Sequence, residues 1–161
     1  MTDDRAKLYD LIDANPTCMM TTIDEKGLPH ARPMHAIVER ETGAIWMYTE
    51  LASGKSRELA QDGHVCLAFA RPSKSDYVSV TGAASVTQDR DRIHKYWNKF
   101  VQAWFSEGPD GANVALIKVE PVAGEYWDAS SSKVVNAVKQ LAASQSEGKP
   151  DMGDHGKVGT L

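Results

Sequence analysis

The sequence predicts a mainly β fold with added helices, an α+β class, arranged as a small antiparallel barrel. Three observations predict it. Short apolar runs separated by tight-turn residues occupy 18–87 and return over 114–127, the pattern of antiparallel strands. One long internal segment, 89–105, changes to a helical period. Most successive strand runs have no helix between them, so the crossovers of a parallel sheet are missing.

The elements follow in order. Residues 3–14 read as an amphipathic helix with Leu8, Leu11 and Ile12 on one face, ended by Asn15-Pro16. Residues 18–23 form a strand turned by Asp24-Glu-Lys-Gly27. Residues 28–38 form the next strand, and the turn 39–43 leads into a third at 45–49. A helix over 55–61 precedes the strand 65–70. The long strand 77–87 carries Gly82 at its centre, where a bulge or barrel corner is expected.

In 89–105 the residues Ile93, Tyr96, Trp97, Phe100, Val101 and Trp104 recur at helical steps. This aromatic stripe is assigned to core packing rather than to a cofactor box. Two strands, 114–119 and 123–127, complete the sheet, and 133–143 reads as a modest helix. The tail 144–161 has few large apolar residues and many breakers, so it is expected to be flexible. The domain organisation is therefore one domain over 1–143 and a flexible tail over 144–161.

At 161 residues the chain fits a single domain that buries roughly two-thirds of its unfolded surface. Its 42% hydrophobic and 25% charged content suits a soluble globular protein. A net charge of −4 gives no reason to expect nucleic acid or an anionic membrane as partner. The apolar runs are too short to cross a bilayer, and the start Met-Thr-Asp-Asp-Arg lacks a secretory pattern, so a cytoplasmic location is expected. Cys18 and Cys66 lie in apolar runs without CxxC spacing and are expected to be reduced thiols.

The five histidines have no ligand-like spacing, so no metal site is expected. There is no GxSxG elbow, no evident pair of catalytic carboxylates, no glycine-rich dinucleotide fingerprint and no P-loop. Catalytic side chains are not identifiable.

The most informative segment is 43–60. A strand passes into a loop carrying Thr49, Ser53 and Lys55, just ahead of a helix N-terminus. Two hydroxyls, an ammonium and free helical N–H groups are what a phosphate monoester requires. The same residues also suit a plain turn with Ser53 as helix cap and Lys55 in solvent. Upstream, Pro33 interrupts a strand and marks an edge or an irregular ladder. Arg32 faces the other way and could present its fork to a phosphate or to a ligand's ring carbonyl.

Tyr48-Thr49, Ser53, Lys55 and Arg57-Glu58-Leu59-Ala60 together resemble the flavin-phosphate segment of the pyridoxamine-phosphate-oxidase-like split barrels. Gly27-Leu-Pro-His-Ala-Arg-Pro-Met34 resembles the strand that lies along the flavin in that superfamily. Arg32-Pro33-Met34 and Glu125-Tyr126-Trp127-Asp128 look most like its general stress protein branch. The resemblance spans about residues 5–128.

It implies a six-stranded antiparallel split β-barrel with flanking helices, making 1–143 an FMN-binding domain. It further implies a homodimer with flavin at the subunit interface and FMN as cofactor, FAD being the alternative. The cofactor-binding residues implied are Arg32, Pro33, Met34, Tyr48, Thr49, Ser53, Lys55 and Trp127, with Trp127 capping a flavin held by the other subunit. For Trp127 a core or dimer contact is the competing reading.

Three functions remain open. One is a flavin-dependent oxidoreductase of unknown substrate, whose cofactor carries the hydride chemistry. Another is a non-catalytic flavin carrier, buffer or redox sensor. The weakest is a binder of haem or another planar ligand. Pyridoxamine-phosphate oxidase activity is not expected. The resembled oxidases end in an Arg–x–His element, and here no Arg lies beyond Arg92.

Overall fold

The computed structural model describes residues 3–129 and 154–159. The chain runs α1 (Asp3–Ala14), β1 (Thr17–Ile23), β2 (Pro29–His35), β3 (Ile37–Glu39), β4 (Ala44–Glu50), α2 (Gly54–Gln61), β5 (His64–Arg71) and β6 (Asp76–Thr87). Helices α3 (Arg90–Tyr96) and α4 (Lys99–Trp104) follow, then β7 (Val114–Asp128) and β8 (Asp154–Val158). All strand pairs are antiparallel, in the order β2-β1-β5-β6-β7-β4-β3, with β8 beside β7.

The order explains the curvature. β2 and β3 stand at opposite ends of that order, yet only Ala36 separates them in the chain. The sheet must roll until its ends meet, and Ala36, buried, anchors the junction by donating its N–H to Pro16 O at 2.8 Å. Strict alternation directs one face inward. Met20, Leu67, Phe69, Val80, Ile45, Met47 and Ile117 form the core against Leu8, Tyr9 and Ile12 of α1. A second, smaller core on the other face of β4 and β7 joins Trp46 and Leu116 to Ile93 of α3.

The predicted class stands, but the described residues contain eight strands rather than six. The run 28–38 breaks at Ala36 into β2 and β3. The runs 114–119 and 123–127 are one strand, β7. The register of β6 against β7 shifts between Thr81 and Gly82, at the glycine expected to mark a bulge. A Cβ on Gly82 would lie 2.6 Å from Glu120 O, so no larger residue fits that approach.

Segment 89–105 is two helices, not one. Trp97, in extended backbone, ends the first, and Asn98 caps the second, accepting from Val101 N at 3.0 Å. The turn rotates part of the aromatic stripe away from the core. Ile93 and Val101 are buried, whereas Phe100 and Trp104 are 62% and 73% exposed.

The tail expectation also needs correction. Within 144–161, residues Asp154–Val158 form β8 against the last five residues of β7. Small residues permit this: Gly156 lies so close to the Tyr126 ring that a Cβ would fall 2.3 Å from it, and Val158 buries its side chain in the core. The helix expected at 133–143 lies outside the described residues. Among the described residues no helix is long and apolar enough to cross a membrane.

Candidate functional site

β4 delivers the chain to the loop 51–53, and α2 begins at Gly54. Ser53 is the N-cap of α2: its hydroxyl accepts from Ser56 N at 3.2 Å. The Ser53 and Ser56 hydroxyls lie 2.8 Å apart, and Ser56 Oγ donates to Glu50 O at 2.8 Å. Thr49 Oγ1 is 3.4 Å from Ser53 Oγ. Three hydroxyls thus gather at one helix N-terminus, where Gly54 and Lys55 have N–H groups without an intrahelical acceptor.

Lys55 is half-buried beside them. Burial lowers its ammonium pKa from the usual lysine value, and the like charge of Arg32 adds to this while Glu50 opposes it. Arg32 reaches α2 from β2 through Glu58, 2.8 Å from its Nη2, which brings its charge within electrostatic range of Lys55. An ammonium partly stripped of water and within the field of a guanidinium is an arrangement that an anion would relieve.

Arg32 is held in place. One terminal nitrogen, Nη1, donates to the Thr22 hydroxyl, and Nη2 donates to Glu58 Oε2 at 2.8 Å. Thr22, wholly buried, donates in turn to the same Glu58 oxygen. The Thr22 hydrogen bond first, and Arg32 after it, hold the Glu58 carboxyl below its ordinary range. Sequence reasoning did not assign Thr22, Ser56 or Glu58 to the site. The register of the β1–β2 hairpin contained the signal for Thr22. Met20 pairs with Arg32 and Thr22 with His30, which makes Thr22 the diagonal neighbour of Arg32 on the inner face.

The expected site residues do not all converge. Arg32, Thr49, Ser53 and Lys55 form the cluster just described. Met34 shares Arg32's inner face, while Pro33 is exposed on the outer face, on the edge strand that its missing N–H predicted. Tyr48 is turned to the opposite side of β4 from Thr49. Its hydroxyl donates to Ile93 O at 2.6 Å, and its ring meets Trp97 edge-on at 5.8 Å. Its ring packs against the second core, and burial pushes its phenol up to about 12.

Trp127 is remote within the protomer. Thr49 pairs with Ala115, and Trp127 lies twelve residues farther along β7, roughly 40 Å of strand path. Its ring stacks on His155 at 5.2 Å.

The outer face of β2, β1, β5 and β6 has a different character. Ala31, Pro33, Met19, Ala68, Tyr77 and Thr81 are exposed there, with Met19 at 44%. Cys66 sits among them, 3.8 Å from Ser79 Oγ. Cys18 and Cys66 are both free thiols, and burial pushes the Cys18 thiol up to about 12. Two pockets of about 230 and 250 Å³ lie away from the α2 loop, one beside Arg5 and Gly43, the other between Thr81 and Lys157. Among the described residues no group of three or more His, Cys, Asp or Glu side chains could hold a metal ion.

Residues 3–151 match the model of the family described as pyridoxamine 5'-phosphate oxidase like. The protein bli-3 of Neurospora crassa is 33% identical over 154 residues, covering 89% of this chain and 73% of that protein. The general stress FMN/FAD binding protein of Xanthomonas citri is 28% identical with a TM-score of 0.70, over 81% of this chain and 93% of that one. A candidate general stress protein 26 from Jannaschia sp. CCS1 superposes over 100% of both chains with a TM-score of 0.77. At 22% identity that match speaks for the fold alone. The rolled antiparallel sheet, the hydroxyl-and-cation cluster at α2 and these likenesses agree: the chain belongs to the pyridoxamine 5'-phosphate oxidase like family, in its general stress protein branch.

Proposed function

We propose that this protein is a homodimeric, cytoplasmic flavoprotein that holds FMN by its phosphate at the N-terminus of α2 and acts as an oxidoreductase. The observation that carries the reading is the gathering of the Thr49, Ser53 and Ser56 hydroxyls at the N-terminus of α2, the helix that carries Lys55 and to which Arg32 is tied through Glu58. That donor set suits a phosphate ester. The printed description of the Xanthomonas citri relative, an FMN/FAD binding protein, supports the same ligand class.

A second copy of the chain completes the site in this reading. Small-molecule sites are typically about 300–1,000 Å³, and the two pockets described above, among the described residues, fall below that. The outer face of β2, β1, β5 and β6, rich in small uncharged residues, is suited to pack against its own copy. A flavin held there supplies the hydride and electron chemistry. The chain's own task is to grip the phosphate and to fix the ring against β2. Two free thiols suit a reducing compartment.

Pyridoxamine phosphate is not the expected substrate, because no Arg follows Arg92 to grip its phosphate. The deciding experiment is the visible spectrum of the purified chain, before and after anaerobic NADH or NADPH. A flavin band that bleaches supports the oxidoreductase. A flavin band that persists with every donor leaves a carrier or sensor. A chain that neither carries nor takes up flavin overturns the proposal.

A further inference from the structure

Glu58 is an unexpected residue at an anion site. Its carboxylate lies one helical turn from Lys55 and shares a single oxygen, Oε2, between Arg32 Nη2 and the Thr22 hydroxyl. Through these bonds each terminal nitrogen of Arg32 already donates inward. The surroundings add a second carboxylate, Glu50, whose charge acts on Lys55. They also add a third cation, Arg57, whose guanidinium reaches Ala52 O at 3.5 Å and lies beside Gly54. Arg32, Lys55 and Arg57 set against Glu58 and Glu50 leave these groups around the α2 N-terminus with one net positive charge.

We infer that Glu58 is a specificity-determining residue: it cancels the Arg32 charge, so the site grips a singly charged phosphate ester nearly as firmly as a doubly charged one. The inference rests on the flavin reading above and deepens it. A phosphate monoester carries close to two negative charges above its second pKa of about 6, whereas each phosphate of a diester carries one. With Arg32 neutralised, the second charge of a monoester finds no counter-ion and meets a carboxylate instead. Hydrogen bonding to the ester oxygens is unaffected, since the hydroxyls, helix N–H groups and Lys55 serve both charge states.

The test is a titration of the full chain at pH 8 with riboflavin, riboflavin 5'-sulfate and FMN. These present the same ring with zero, one and about two negative charges. For the wild type, the sulfate is expected to bind within about threefold of FMN, and both well above riboflavin. FMN binding more than about tenfold tighter than the sulfate would overturn the inference.

Glu58→Gln keeps an acceptor oxygen for Arg32 and removes the charge. It should tighten FMN about tenfold while leaving riboflavin unchanged. Equal shifts for FMN and riboflavin, or no shift for FMN, would assign Glu58 a merely structural role. If the variant does not fold, the wild-type ratio of sulfate to FMN decides alone. Absence of binding for all three ligands is a distinct outcome, which removes the flavin reading and this inference with it.

Discussion

The indole of Trp127 and the imidazole of His155 stack with centroids 5.2 Å apart and planes 8° from parallel. His155 Nε2 also lies 2.6 Å from Glu125 Oε1, and Lys157 Nζ lies 3.5 Å from the same oxygen. These contacts bind β8 to β7 across a connection of more than twenty residues. The ring that the resemblance would set over a flavin edge is thus already occupied within its own chain. A flavin from a second copy would have to meet the Trp127–His155 pair rather than a bare indole.

Gly156 is the residue on which this docking turns. A Cβ there would sit 2.3–2.5 Å from the Tyr126 ring, which is itself held by its hydroxyl donating to Asp4 Oδ1 at 2.8 Å. Gly156→Ala is expected to detach β8 while the remaining strands stay paired. Hydrogen exchange should show lost protection at 154–158, with a stability loss of about 1–2 kcal/mol. Unchanged protection there would mean that the close approach to Tyr126 does not hold the strand.

Glu39 governs the second core and gives the fold an acid limit. Its carboxylate accepts from Thr42 Oγ1 at 2.7 Å, Tyr96 OH at 2.9 Å, and Trp46 Nε1 and Lys95 Nζ at 3.3 Å. The Thr42 hydrogen bond leads, and together these donors lower its pKa from 4.5 to about 2. A folded-state pKa below the unfolded one adds stability above the unfolded value, lost as pH falls through the folded one. The window is therefore about pH 4.5 down to 2. The contribution is on the order of 1–2 kcal/mol after discounting for solvent screening. Urea unfolding should show the wild type losing stability across that window more steeply than Glu39→Gln. Parallel profiles would remove Glu39 as the cause.

Lys55 and Tyr48 should separate cleanly, although both fall in the same sequence motif. A charge-assisted contact to phosphate is worth roughly 1.5–3 kcal/mol. Lys55→Ala is thus expected to weaken FMN about ten- to hundredfold without unfolding the chain. Tyr48→Phe should leave FMN affinity unchanged. It should cost stability of about 1 kcal/mol, because the Ile93 carbonyl loses its donor. Flavin titration beside thermal melts reads both. An FMN loss in Tyr48→Phe at normal stability would return Tyr48 to the site.

The barrel was legible because alternation and tight turns specify antiparallel pairing locally, as in β1, β5 and β6. Local rules also placed Gly82 at the bulge and Pro33 on an edge. Two features depended on long-range facts that a local pattern does not contain. One is the docking of β8, which relies on the Tyr126 ring leaving room for glycine alone. The other is the division of the site motif: strand alternation sends Tyr48 and Thr49 to opposite faces, a consequence readable once β4 is known to be covered on both. Glu58 stood in the motif without a role because its partners Thr22 and Arg32 come from another hairpin.

The outer face of β1, β2, β5 and β6 is where the proposed dimer can be broken without touching the core. Ala68 lies exposed at its centre, paired with Met19 on one side and Ser79 on the other. Its side chain points away from the barrel interior that Leu67 and Phe69 fill. Ala68→Glu would place a carboxylate at this face on each copy. If two copies meet there about a two-fold axis, the charges are buried together without a counter-ion, which costs several kcal/mol. The expected result is a folded monomer by sedimentation that has lost FMN in step with the dimer, though Arg32 and Lys55 are intact. A dimer that persists in Ala68→Glu would move the interface elsewhere. A monomer that binds FMN at full strength would show that one chain suffices to enclose the flavin.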